Sequence, residues 1–309
     1  MSCLFPFKRY RLHDGSIASS EKDLLSNKNP PIHHFYTPCG QCGECRLSRA
    51  RTWATRCVHE STQWKQSCFI TLTYRNTPEG NSLDPQDTRN FIRRFREQFK
   101  KPFKYFLVGE YGDQGDRPHY HALIFGTDFG YSQFHSPKNK TSLQGIHELH
   151  DTTALSNPEL DSIWGLGHTS VGELTFDSAA YCAQYAMKKI NGPKAQSHYG
   201  GRHPEFMRTS QNAIGKQYAL KYADEIINNN SVISNETKQP IPNYYLKQFE
   251  KNQYNLTELK IIREEFSETH TIAKSYTRAC MLDAKFKLKK SKGDAFRIKY
   301  AKDLYYSGN

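Results

Sequence analysis

Residues Cys68–Tyr74 (CFITLTY) are dense in β-branched and aromatic side chains, the composition of a strand. Asp84-Pro85 then opens an amphipathic helix to about Lys100, with Phe91, Ile92, Phe95 and Phe99 on one side. Two further strands, Tyr105–Tyr111 (YFLVGEY) and Arg117–Phe125 (RPHYHALIF), flank the turn-rich GDQGD and read as a hairpin. After a polar stretch from Gly126 to Pro158, a short helix near Leu160–Trp164 precedes a strand at His168–Leu174 (HTSVGEL). A helix from Phe176 through Lys189 follows, with Asp177 or Ser178 as N-cap. This order predicts an α+β fold, a central antiparallel sheet of the split βαβ kind flanked by helices.

Outside that block the pattern is weaker. Residues 1–45 read as irregular, with Pro30-Pro31, Pro38 and several glycines, and Arg46–Gln63 reads as a helix. Residues 196–309 read as mainly helical and basic. The expected organisation is a Cys-rich region at 1–66, a central domain at 67–195 and a C-terminal region at 196–309.

The 309 residues include 43 Lys plus Arg against 31 Asp plus Glu, a formal charge of +12. A polyanionic partner is the natural expectation. With 37% hydrophobic and 13% aromatic residues the chain is not a solvating disordered one. No apolar run approaches the roughly 18 residues that span a bilayer, and no secretory signal opens the chain, so a cytosolic protein without a membrane role is expected. The basic residues cluster in two places. Arg46, Arg49, Arg51 and Arg56 lie on the first predicted helix, and Lys285, Lys287, Lys289 and Lys290 belong to Ala284–Lys302, which has eight Lys or Arg against one Asp. Both are candidate DNA contacts, the alternative being solvated faces.

Of eight cysteines, Cys39, Cys42 and Cys45 form CGQCGEC, a doubled C-x2-C spacing. In a cytosolic chain this favours metal over disulfides, and zinc would take Cys3 as its fourth ligand, with His33 and His34 as rivals. Three reduced thiols in a glycine-containing turn are the plainer alternative. Cys57, Cys68, Cys182 and Cys280 read as inert small side chains.

His119 and His121 flank Tyr120 on a strand, so both imidazoles leave the same face. If the hairpin loop is Asp113–Asp116 and Gly112 pairs with Arg117, Glu110 lies opposite His119 and a carboxylate joins the two rings. A one-residue slip would turn Glu110 away and leave Asp113 or Asp116 instead. Such a trio suits Mn²⁺ or Mg²⁺ in contact with a phosphate. Downstream, Tyr181, Tyr185 and Lys188 are separated by four and seven positions, which puts them within about 40° on one helix face. A phenol attacks a phosphodiester only with help, because its ordinary pKa is about 10; the neighbouring cation site and Lys188 would supply that help.

Phe69–Tyr74 (FITLTY), Arg117–His121 (RPHYH) and the Y-x-x-x-Y-x-x-K run at Tyr181–Lys188 resemble the three motifs of HUH endonucleases of the rolling-circle replication class. More narrowly, with CGQCGECR and Pro240–Glu250 (PIPNYYLKQFE), the chain is similar to replication initiation proteins of gokushovirus-type single-stranded DNA phages. The resemblance implies a site-specific nick in single-stranded origin DNA by Tyr181 or Tyr185, a covalent 5′-phosphotyrosine link and strand transfer. It also implies metal ligation by His119 and His121, with Glu110 a carry-over by position, and work beside the host helicase and polymerase in the bacterial cytoplasm. Two other readings fit parts of the pattern: a non-enzymatic single-strand binder using basic and aromatic residues, and a phosphodiesterase that uses water.

Overall fold

The computed structural model describes residues 3, 5–19, 23, 31–112, 115–135, 147–148, 154–187, 189–190, 194–211 and 213–263. Its chain divides into two units: residues 1–48 with 255–309, and residues 49–254.

The first unit contains a three-stranded antiparallel sheet, where the sequence reading expected irregular chain. Strands β1 (Phe7–Leu12), β2 (Ile17–Ala18) and β3 (Pro31–Thr37) take the order β2-β1-β3. Strand β1 (FKRYRL) alternates large apolar residues with Lys and Arg; Tyr10 and Leu12 turn inward onto Ala18 and form a small cluster. Helix α1 (Gly43–Ser61) starts in this unit and runs into the second.

The second unit is built on a seven-stranded antiparallel sheet. In chain order its elements are β4 (Ser67–Tyr74), α2 (Pro85–Phe99), β5 (Lys104–Tyr111), β6 (Pro118–Phe125), α3 (Tyr131–Phe134), β7 (His147–Glu148) and β8 (Leu155–Ser156). These are followed by α4 (Pro158–Trp164), β9 (Gly167–Glu173), α5 (Phe176–Ala186), α6 (Lys194–Tyr199), β10 (Phe206–Thr209) and α7 (Lys216–Lys221). The remaining elements are α8 (Ala223–Asn228), the hairpin β11 (Val232–Ser234) and β12 (Thr237–Gln239), and α9 (Asn243–Lys251). The sheet order is β10-β5-β6-β4-β9-β8-β7, so the predicted strands occupy its centre.

Alternation along the strands splits the core in two. On one face Ile70, Leu72, Leu107, Tyr120 and Ile124 pack with Phe91 and Phe95 of α2 and Trp164 of α4. On the other, Phe106, Val108, Leu123 and Phe125 meet Ala50, Ala54 and Cys57 of α1 and Ala179, Cys182 and Ala183 of α5. Cys57, Cys68 and Cys182 are thus buried core thiols, as expected; Cys280 lies outside the described residues. Helix α2 starts where predicted, the Asp84 carboxylate accepting from Gln86 N–H at 2.7 Å, and stops at Lys100 in the left-handed region (φ 51°).

Three expectations need correction. Part of the region expected to be mainly helical adds strand β10 beside β5 and folds the β11–β12 hairpin; a four-residue edge strand (FMRT) carries too little alternation to be read from sequence. The N-cap of α5 is Thr175, whose hydroxyl accepts from Ser178 N–H at 3.1 Å while Ser178 Oγ accepts from Thr175 N–H at 2.8 Å. Arg56 does not lie on a DNA-facing surface. It is buried, donates from Nε and Nη2 to Ile214 O at 3.1 and 3.0 Å, and is sandwiched by Trp53 (4.0 Å) and Tyr244 (4.2 Å).

Arg56 belongs to an internal polar cluster. Glu60, fully buried, pairs with Lys104 at 2.8 Å and accepts from Trp64 Nε1 and Gly215 N–H at 2.8 and 2.7 Å. His59 lies between Ile233 O (Nε2, 2.8 Å) and Tyr245 Oη (Nδ1, 3.0 Å) and stacks on Tyr218. These contacts tie α1 to α7, β11 and α9. Among the described residues no helix is long and apolar enough to cross a membrane.

Candidate metal centre and tyrosine pair

The β5–β6 hairpin closes with Gly112 N–H donating to Arg117 O at 3.0 Å, and the pairing that follows sets Glu110 opposite His119 and Val108 opposite His121. This is the register predicted above. Because Glu110, His119 and His121 all leave the same face, their ligand atoms converge: Glu110 Oε1 lies 2.8 Å from His119 Nε2 and 2.9 Å from His121 Nε2. The other candidate carboxylates do not compete. Asp116 reaches Arg202 at 3.3 Å, and Asp113 lies outside the described residues.

The chemistry of this trio fits a cation. His119 Nδ1 is 3.0 Å from Arg117 O, which only accepts, so Nδ1 carries the hydrogen and a neutral ring turns its Nε2 lone pair towards the carboxylate. A cation held by all three converts that opposition into coordination. Adjacent ligands of an octahedral ion with bonds of about 2.0–2.1 Å lie about 2.9 Å apart, which matches the spacing here. Glu110 is 1% exposed and His121 also buried, whereas His119 is more open to solvent. Thr71, opposite His121 on β4, fixes its ring through a 2.9 Å bond between Oγ1 and Nδ1. The sequence reading missed Thr71; the signal was its place in the alternation of FITLTY, on the face shared with the histidines.

Helix α5 brings the tyrosines to this centre. Tyr181 and Tyr185 are one turn apart with ring centroids at 4.5 Å, and their rings lie 5.2 and 5.9 Å from that of His121. Phe69 stacks on His121 at 5.2 Å and meets Tyr181 edge-on at 6.3 Å, walling the pair on the β4 side. Tyr181 is 43% exposed and Tyr185 partly buried. Lys188 lies outside the described residues, and the helix ends at Ala186 rather than Lys189. Of the expected basic contacts, Arg49 and Arg51 are exposed on α1, and Arg49 reaches Met187 Sδ at 3.8 Å, just past the tyrosine helix. Arg46 is partly buried, while Lys285, Lys287, Lys289 and Lys290 lie outside the described residues.

In the first unit the sulfurs of Cys3, Cys39, Cys42 and Cys45 all lie within 4.8 Å of one another. Cys39–Cys45 and Cys42–Cys3 are each 3.9 Å apart, beyond any disulfide. Four thiolates at about 2.3 Å from a tetrahedral ion would be about 3.8 Å apart, so the set has the size of a closed four-sulfur site. Burial raises the Cys3 and Cys45 thiols; at Cys39 burial acts the same way, but N–H donors from Cys42 and Gln41 and the neighbouring thiols outweigh it and bring the pKa to about 7. His34 is exposed with its ring against Tyr36, and the sulfur group is complete without it.

The family profile of the ORF2-type replication-associated proteins matches residues 67–190, the stretch from β4 through α5 that carries every member of the His–Glu–Tyr group. The chain is 32% identical over 262 residues to replication-associated protein VP4 of Bdellovibrio phage phiMH2K, covering 82% of this chain and 78% of that protein. It is 27% identical over 289 residues to replication-associated protein ORF2 of Spiroplasma virus 4, covering 86% and 85%. To replication-associated protein ORF4 of Chlamydia phage 1 it is 27% identical over 219 residues, spanning 68% of this chain but about half, 53%, of that protein. No solved structure matches. The chain therefore belongs to the family of phage replication-associated proteins, and its role is in the replication of a phage genome.

Proposed function

We propose that the protein is a metal-dependent endonuclease and strand transferase that initiates rolling-circle replication by nicking single-stranded origin DNA. The observation that carries this reading is the placement of two tyrosine rings within 6 Å of the ring of His121, which with His119 shares the Glu110 carboxylate. A divalent ion, Mn²⁺ or Mg²⁺, held by Glu110, His119 and His121 would polarise the scissile phosphate and offset charge on its oxygens.

Tyr181, the more exposed hydroxyl, is placed to meet the phosphodiester first. Its phenol oxygen forms the new bond to phosphorus as the P–O3′ bond breaks; the phenol gives up its proton and the departing 3′ oxygen takes one up. The link to the 5′ phosphate conserves the bond energy, so Tyr185 can accept a second strand by the same exchange. Lys188 would steady the phenolate. Arg46, Arg49 and Arg51 would hold flanking phosphates, as would the lysines at 285, 287, 289 and 290. The chain has no G-x-x-x-x-G-K-[ST] loop, so unwinding and elongation fall to the host helicase and polymerase in the bacterial cytoplasm. We assign the four thiolates to a structural zinc ion that holds residue 3 against the start of α1.

The test is to incubate the protein, Mn²⁺ and labelled single-stranded origin DNA and look for label on denatured protein. The 5′ fragment should be protein-linked and the 3′-OH free. A Tyr181→Phe/Tyr185→Phe variant that still forms the adduct would show that the nucleophile lies elsewhere.

A further inference from the structure

The crossings from α1 to β4 and from α2 to β5 border a cavity of about 480 Å³, lined by Trp64, Arg96, Lys101, Phe103, Lys104 and Gln217 among others. That size suits a single small ligand. Its lining brings together two aromatic rings, three cations and side-chain amides, with no carboxylate. The back wall is rigid. Glu60, wholly buried beneath it, accepts from the Trp64 indole N–H and pairs with Lys104, each at 2.8 Å, so ring and ammonium are held in place before anything binds. The front differs: Arg96 and Lys101 are exposed and make no ion pair among the described residues, resting near the rings of Phe103 and Phe99 at 5.8 Å. With Lys104 neutralised by Glu60, those two cations leave the cavity net positive.

We propose that this cavity seats one nucleotide of the bound single strand, away from the scissile phosphate. This rests on the nickase reading and adds a second point of attachment to it. The base stacks against Trp64 and Phe103, the adjoining phosphates meet Arg96 and Lys101, and Gln217 offers an amide to the base edge. Lys104 and Glu110 lie six residues apart on one strand and point to the same face, so the cavity and the metal centre occupy opposite ends of that face, about 20 Å apart. At about 3.4 Å per stacked nucleotide, roughly six nucleotides separate the recognised base from the cut. Trapping one base there would fix where along the strand the tyrosines strike.

The experiment measures binding of a labelled 20-nucleotide strand to the full chain by fluorescence anisotropy, in chelator, so that no cleavage is involved. Arg96→Glu/Lys101→Glu, with its folding checked by thermal melting, should bind at least tenfold more weakly in low salt. The slope of log affinity against log salt should be shallower by about 1.4, at about 0.7 per single-strand phosphate. The milder Lys101→Gln should lower the slope by about half as much. DNA should quench tryptophan emission in the wild type, and Trp64→Phe should remove that part of the quench. Unchanged affinity and slope in the charge-reversal variant, or a quench that survives Trp64→Phe, would overturn the proposal. Adduct formation on origin DNA is scored separately: an adduct with no effect of Arg96 and Lys101 sinks the cavity and leaves the nickase, while pocket-dependent binding without any adduct does the reverse.

Discussion

His59 is the natural place to test how the segment after the metal domain is fastened to it. The ring is 2% exposed, and burial lowers its pKa from 6.5 to about 4 although the contact to Ile233 O favours the charged form. The Ile233 carbonyl accepts from Nε2, so Nδ1 is left to accept from the Tyr245 hydroxyl, and the neutral ring satisfies both neighbours. Unfolding releases it to its ordinary value. The unfolded chain therefore binds more protons than the folded one between about pH 6.5 and 4, and stability contributed by the neutral ring is full above that window and lost as pH falls through it. At about pH 4.5 the two pKa values give a loss of about 2.5 kcal/mol relative to about pH 8. Denaturant titrations of the wild type and His59→Gln across that range isolate the effect, because every other titrating group is common to both. The variant is expected to be less stable at neutral pH, with the gap narrowing by about 2.5 kcal/mol on acidification. A gap that does not move with pH would refute a neutral, buried His59.

Three further outcomes follow from the geometry. Thr71→Val removes the hydroxyl that orients His121 and should weaken Mn²⁺ binding by about 10-fold or more, read by titration calorimetry without DNA. Cys42→Ser should lower the bound zinc measured by elemental analysis from one ion per chain, and chelation of the wild type should lower its melting temperature. Gly215 sits at φ 78°, and an added Cβ would lie 2.4 Å from Tyr245 Oη, so Gly215→Ala should cost about 1–3 kcal/mol in a thermal melt.

The central sheet was legible because its strands and hairpin obey local rules. CFITLTY and RPHYHALIF are rich in strand-forming residues, and once Gly112 pairs with Arg117 the two-residue period alone carries Glu110 to His119. Tyr181 and Tyr185 were legible for the same reason, a helical period that places both on one face. What escaped depends on contacts distant in sequence. Arg56 looks like its neighbours Arg49 and Arg51 until Ile214 and Tyr244, more than 150 residues on, close over it. Thr71 acquires a purpose only from His121, 50 residues later. Strand β1 was hidden by its Lys and Arg, and β10 by its brevity. The four sulfurs were the exception: Cys3 is 36 residues from Cys39, yet zinc stoichiometry alone required a fourth ligand.

The hairpin that joins Glu110 to the histidines also has a bearing on the order in which the site is built. The contacts of Glu110 with His119 and His121 span only 9 and 11 residues, so once β5 and β6 pair, the cation-binding half is complete. Hairpins of this kind close in about 1–10 μs. Tyr181 and Tyr185 lie 60 or more positions beyond His121 and must wait for β9 and α5 to dock, a closure that carries a larger entropic cost. During synthesis the ligands are thus arranged before the nucleophiles exist, and an unfinished chain holds the part that grips phosphate without the part that bonds to it.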